Sequence, residues 1–131
     1  MHRKLAPEGM ATPAANYAHA VVSEGTTRMM HSSGIVPTQP DGTVPASIGE
    51  QAAVIWSSIR ALLDEAEMVP TDIVSVTTYV VASLVDTGAL GIVMAARDEA
   101  LGGHEAASTL VTVPVLAQPA WKMEIAVVAT A

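Results

Sequence analysis

The sequence predicts an α+β fold, a two-layer sandwich with two helices on one face of a mixed sheet. Two observations lead there. Two segments, at about 48–67 and 86–101, each carry a single apolar stripe at helical spacing, and they are set among β-branched runs in the order strand, strand, helix, strand, helix, strand, strand. A helix with one apolar stripe buries it on one partner, so both stripes fit one face of one sheet. Nothing in the chain supplies a third layer, so the opposite sheet face is left for another copy, and a closed cyclic oligomer is the usual arrangement. A single domain over residues 1–131 is expected, since no repeat, low-complexity tract or linker interrupts it.

After an extended start containing Pro7 and Pro13, Asn16–Val22 reads as a strand. Glu24-Gly25-Thr26-Thr27 is turn-like and Arg28–Ser33 resumes as a strand, so the two runs are expected to pair as a hairpin. Pro40-Asp41-Gly42 is a turn, because Pro presets φ and Gly accepts a positive φ. Ser47-Ile48-Gly49-Glu50 has the spacing of a capping box and opens the first helix, in which Ile48, Ala52, Ile55, Ile59, Leu62, Leu63 and Ala66 form the stripe. Pro70 ends it. Ile73–Val81 is dense in β-branched residues and reads as a central strand. The second helix, about Asp86 to Leu101, places Leu90, Val93, Met94, Arg97 and Leu101 on one side, with Gly102-Gly103 as its stop. Ala106–Val113 and Trp121–Val128 are the last two strands, flanking a loop that contains Pro.

Composition narrows the function. Cysteine is absent, which removes disulfides, a thiolate nucleophile and Cys-type zinc sites. Phe is absent too, so the core must come from Ala, Val, Ile, Leu and Met. A net charge of −7, with six scattered basic residues, argues against binding a nucleic-acid backbone. No apolar run approaches the roughly 20 residues that span a bilayer, and no apolar stretch follows Arg3-Lys4 as a signal would require, so a cytoplasmic protein is expected.

Few residues carry chemistry. In the last strand Lys122, Glu124, Ala126 and Val128 share one face and Met123, Ile125, Val127 and Ala129 the other, which leaves Glu124 a lone carboxylate amid apolar residues. Two readings stay open: a partly solvated ion pair with Lys122, or a pocket carboxylate that exchanges protons with water or a substrate nitrogen. Tyr17 divides in the same way between a packed and a catalytic phenol, and Arg97 between snorkelling and binding an anion. His31-Ser32-Ser33-Gly34 offers no triad, and His2, His19, His31 and His104 lack metal-ligand spacing. That spacing gives no reason to expect a metal site.

Taken together, several pieces resemble the reactive intermediate deaminase (Rid) family, formerly filed under endoribonucleases. They are Asn16-Tyr17-Ala18-His19-Ala20-Val21, Ser32-Ser33-Gly34-Ile35-Val36-Pro37, Asp41-Gly42, Gln51 with Trp56 and Leu62-Leu63, Asp72-Ile73-Val74, and Ala107-Ser108-Thr109-Leu110-Val111 with Met123-Glu124-Ile125. Their order and spacing, over nearly the whole chain, carry the resemblance. It implies a chorismate-mutase-like fold, a homotrimer with a small-molecule cleft between subunits, and cofactor-free hydrolysis of enamines or imines to a carbonyl compound and ammonia. Glu124 falls on the family's water-orienting glutamate and Tyr17 on its cleft tyrosine; Ser108, Thr109, Ser33 and Gly34 fall on substrate-contacting positions. Two departures stand out: Ser108 occupies the place of the family's carboxylate-clamping arginine, and Met94 that of an asparagine. A hydroxyl cannot replace a guanidinium fork. The implied substrate is therefore one other than 2-aminoacrylate, and the alternative is a non-catalytic binding or regulatory trimer that keeps the cleft. Arg28 and Arg97 are the candidates for a substitute anion contact.

Overall fold

In the computed structural model, which describes residues 1–131, the chain forms six strands and two α-helices. The strands are β1 (His2–Leu5), β2 (Ala20–Ser23), β3 (Met29–His31), β4 (Ile73–Val81), β5 (Ala107–Val113) and β6 (Met123–Thr130), and the helices are α1 (Ile48–Glu65) and α2 (Ala89–Leu101). The main sheet has the order β3-β6-β4-β5, with β4 and β5 parallel and the other neighbours antiparallel. It is the expected mixed sheet. Both helices pack on one of its faces, with Ile55, Ile59 and Leu63 of α1 and Val93 and Leu101 of α2 in one core with Met123, Ile125, Val127 and Ala129 of β6. Each buried side chain of that size contributes about 1.5–3 kcal/mol, so a core without Phe is sufficient.

The expected hairpin does not form. Asn16–Val22 contributes only β2, which pairs with β1 as a separate two-stranded sheet, whereas β3 pairs with β6. The physical reason is competition for edges. The N-terminal strand offers β2 a full antiparallel register, from His2 opposite Ser23 to Leu5 opposite Ala20, and the edge of β6 takes β3. The small sheet is tied to the main one through His2, whose Nε2 lies 3.2 Å from the Thr130 carbonyl, and through Ser23, whose hydroxyl accepts from Thr130 at 3.2 Å.

Local chemistry sets the helix ends. The Ser47 hydroxyl accepts from the Glu50 N–H at 3.2 Å and donates to the Glu50 carboxylate at 2.9 Å, capping α1. At the other end Arg28 donates to the carbonyls of Ala66 and Glu67, at 2.5 and 3.3 Å, satisfying acceptors the last turn leaves open. The second helix starts later than its pattern suggests: residues 82–87 form a 3-10 turn, and Gly88, at φ 81°, separates it from α2. In the loop before α1, Asp41 accepts from the Thr43 hydroxyl (2.6 Å) and N–H (3.0 Å), which holds its carboxyl below the usual range.

The face of the sheet away from the helices has no cover within the chain. Strand alternation brings Ser75, Thr77, Tyr79 and Val81 of β4, Ala107, Thr109, Val111 and Val113 of β5, and Glu124, Ala126 and Val128 of β6 onto it. Glu124 is the one charged side chain among these.

Candidate functional site

Glu124 lies on this open face, half-buried, while its neighbours Met123 and Ile125 are fully buried on the other. Its carboxylate has no hydrogen-bonding or ionic partner in the chain. Lys122, the partner expected on the same strand, donates instead to the Ala46 carbonyl at 2.5 Å. The ion-pair reading of Glu124 therefore lapses.

The carboxylate sits against Gly34. A Cβ built there would lie 2.6 Å from Glu124 Cδ and 3.0 Å from Cγ, and closer still to Oε2, so only glycine leaves the carboxylate its position. Backbone pairing fixes the approach: Ile35 N–H donates to the Ile125 carbonyl at 2.7 Å and Ile125 N–H to the Ile35 carbonyl at 3.1 Å. Ser32 adds a second tie, accepting from the Val127 N–H at 2.9 Å and donating to the Ser33 carbonyl at 2.7 Å. Ser33 is exposed beside Gly34. On its helix side Gly34 borders a shallow concavity of about 400 Å³ with Ile35, Val36, Ser58, Ala61 and Leu62.

The other half of the expected site lies at the far edge of the sheet. Ala18 forms a parallel bridge with Ala107, outside β5, and Tyr17 precedes it, half-buried, with its ring edge-to-face on His19 at a centroid distance of 6.0 Å. Ser108 and Thr109 point to opposite faces. Ser108 pairs with Val76 on the helix side, where its hydroxyl accepts from Arg97 Nη1 at 3.3 Å; Thr109 pairs with Thr77 on the open side.

From Glu124 to Ala18 the sheet must be crossed from β6 past β4 and β5 and descended four residues along the strands, roughly 20 Å by ordinary strand spacing. One chain thus brings Glu124, Gly34 and Ser33 together at one edge and Tyr17, Ser108 and Thr109 at the other. It does not bring the two groups together. The largest concavity, about 410 Å³ between the helices around Ala53, Trp56, Arg60 and Ala96, contains none of them.

Both arginines considered as anion contacts are engaged. Arg28 caps α1, and Arg97, 5% exposed, donates from Nε and Nη2 to Asp98 Oδ1 at 3.1 and 3.0 Å. No three His, Asp or Glu side chains converge closely enough to hold a metal ion. No helix is long and apolar enough to cross a membrane.

Two residues with a bearing on the site escaped the sequence reading of chemistry. Tyr79 is the cross-strand partner of Glu124 on the open face, visible only once the β4–β6 register is known. Gln51, fully buried on α1, donates to the carbonyls of Pro45 (2.8 Å) and Ala120 (2.9 Å) and accepts from the Lys122 N–H (2.9 Å), fixing the entry to β6 two residues before Glu124. A lone amide within an apolar helical stripe was the available signal.

Comparison with known proteins is consistent across most of the chain. The family model described as endoribonuclease L-PSP matches residues 8–131. Among solved structures, YyfB of the Rid protein family from Yersinia pestis is 25% identical with a TM-score of 0.85, over 99% of this chain and 98% of that one. The YjgF gene product of E. coli is 26% identical with a TM-score of 0.69, over 98% of each. E. coli TdcF, solved with bound serine, is 24% identical with a TM-score of 0.68, over 94% of this chain and 91% of that one. No curated protein sequence matches.

Proposed function

Because the chain belongs to the endoribonuclease L-PSP family, which is the Rid family that the sequence resembles, we propose that it is a cofactor-independent hydrolase of a reactive imine or enamine. The observation that carries this reading is the unpartnered carboxylate of Glu124, held against Gly34 on an uncovered sheet face. A carboxylate left without a partner at a surface that a second copy would cover has the access and the free lone pairs that a proton-transfer group needs.

In the proposed reaction the substrate enters as the iminium, protonated at nitrogen, and an enamine becomes one by protonation at carbon from solvent. Glu124 takes a proton from a water molecule as the water oxygen adds to the iminium carbon, which gives a neutral carbinolamine. The protonated Glu124 then gives that proton to the nitrogen. The C–N bond breaks as Glu124 takes the hydroxyl proton, the carbonyl product forms, and the departing ammonia takes that proton from Glu124 to leave as ammonium. Positioning a water and moving protons is sufficient, and no covalent nucleophile is needed. Tyr17 of a neighbouring copy closes the cleft over the substrate, with Thr109 and Ser33 as polar contacts and Ser108 acting through Arg97. This gives the second copy a role in the site, and a closed homotrimer is the proposed assembly.

The substrate class follows from the charges. With Ser108 lacking a cation of its own and the Arg97 guanidinium neutralised by Asp98, the cleft has no free fork for a carboxylate. An imine without a carboxylate is the preferred substrate. The same observation favours the second reading, a trimer that binds a neutral small molecule without turning it over.

The test generates imines in situ, from amino acids with an amino-acid oxidase and from primary amines with an amine oxidase, and traps them with semicarbazide. Faster imine loss is expected with the protein present, greater for the carboxylate-free imines, and absent in Glu124→Ala. No acceleration with any imine would overturn the hydrolase and leave the binding protein.

A further inference from the structure

Ser108, Arg97, Asp98 and Asn16 form one chain of hydrogen bonds that runs from β5 across α2 to the segment carrying Tyr17. Arg97 is 5% exposed, and a guanidinium at that depth demands a partner. Asp98 supplies it through a single oxygen: Oδ1 accepts from Arg97 Nε at 3.1 Å and from Nη2 at 3.0 Å. Arg97 Nη1 donates to the Ser108 hydroxyl at 3.3 Å, fixing the guanidinium to β5. The second carboxylate oxygen, Oδ2, is thereby left to face outward, and it accepts from the Asn16 side-chain amide at 3.2 Å.

On the other side of Tyr17, the Ala18 N–H donates to the Ala106 carbonyl at 3.0 Å and Ala18 bridges Ala107. Tyr17 is thus the one residue between two anchors, a helix side chain before it and a strand edge after it. Between β1 and β2 no helix or regular strand forms, and the remaining ties around Tyr17 are local: its hydroxyl accepts from the Ala14 N–H at 3.4 Å, its own N–H donates to the Ala15 carbonyl at 2.9 Å, and His19 Nε2 lies 2.6 Å from the Ala11 carbonyl, so Asn16 and Ala18 are what anchor it to the helix and the sheet. A segment of that kind loses its order when a tie is removed, because fixing each residue's backbone costs about 1–2 kcal/mol of conformational entropy.

We propose that Arg97 and Asp98 are positioning residues for Tyr17, an ion pair of a buried guanidinium and a half-buried carboxylate whose outward oxygen holds Asn16 and so fixes where the tyrosine ring stands. The functional meaning of this arrangement rests on the reading of Tyr17 as a site residue; the structural coupling does not. It also gives the serine at position 108 a role: its hydroxyl seats the guanidinium that orients Asp98.

The experiment uses the full chain with ring-labelled tyrosine and NMR. The sequence has two tyrosines, so a Tyr79→Phe sample assigns the Tyr17 signals. Asn16 is exposed, and its replacement does not put folding at risk. Asn16→Asp sets a second carboxylate against Asp98. It is expected to shift the Tyr17 ring signals, to weaken the Tyr17–His19 ring contacts, and to raise KM about 10-fold, the equivalent of one charge-assisted hydrogen bond, with a smaller effect on kcat. Asn16→Gln keeps the amide donor and leaves the Arg97–Asp98 pair intact. It is expected to hold both the signals and KM near their original values, a rescue by the conservative variant that loss of a merely structural contact would not produce. Unmoved Tyr17 signals in Asn16→Asp, or an Asn16→Gln protein as disturbed as Asn16→Asp, would overturn the proposal. Signals that move in Asn16→Asp and hold in Asn16→Gln, in a protein that hydrolyses no imine, would uphold the coupling and sink the catalytic reading of Tyr17.

Discussion

At the scale of single residues, the contact between Gly34 and Glu124 separates function from stability. An added methyl group at position 34 meets the far end of a flexible side chain and no backbone, so the protein yields by moving the carboxylate. Gly34→Ala is expected to cost about 1 kcal/mol or less in stability, read by thermal unfolding, because the displaced group can turn toward solvent. Imine hydrolysis should fall far more, by about 10²-fold, since a misplacement near 1 Å of a water-orienting group has that effect. Equal activity in the two proteins would show that the carboxylate's position beside Gly34 is immaterial. Glu124 itself was legible in the sequence as a lone carboxylate in an apolar strand, and Gly34 entered through the family resemblance, but the contact between them was not legible. Glycine leaves no periodic signal, and Ile35 meets Ile125 through a bridge between segments 90 residues apart.

At the scale of elements, α1 does two jobs. Its stripe of Ile55, Ile59 and Leu63 was readable from spacing alone, and so was its start at Ser47, because capping is local chemistry. Its grip on β6 was not, since the two backbone segments that Gln51 joins are brought to it only by the fold. The hairpin expectation failed for the same reason: strand propensity names a strand without naming its partner, and β2 found β1 while β3 found β6. Gln51→Met keeps the volume and removes three hydrogen bonds, leaving the carbonyls of Pro45 and Ala120 and the N–H of Lys122 without a protein partner. It is expected to cost about 3 kcal/mol, a fall of roughly 10 °C in Tm for a chain of this size. Ser47→Ala, which opens a solvent-accessible cap, should cost only about 1 kcal/mol. Calorimetry on the two variants orders these effects, and a Gln51→Met protein as stable as Ser47→Ala would mean that water substitutes for the amide.

At the scale of the whole molecule, the two-layer architecture was legible because two striped helices and a set of β-branched strands admit few arrangements, while a site shared between copies was implied only by the family resemblance, and spacing along the chain says nothing of which residues stand at which edge. The site's halves stand at opposite edges of one sheet, roughly 20 Å apart by strand spacing, and no side chain spans that distance. If Glu124 and Tyr17 act on one substrate, they come from different copies, and the consequence can be measured. Neither Glu124→Ala nor Tyr17→Ala alone contains an intact cleft. In mixed assemblies, wherever a Tyr17→Ala copy contributes its Glu124 to a Glu124→Ala copy that contributes its Tyr17, the cleft is whole. Random mixing at equal ratio in a closed ring makes about one interface in four of this kind. Co-refolding the two inactive variants should therefore restore about a quarter of the original imine hydrolysis, while each variant refolded alone stays at its own residual rate. No recovery in assemblies shown to contain both variants would mean that the two residues do not share a site across an interface, and the open sheet face would then need another occupant.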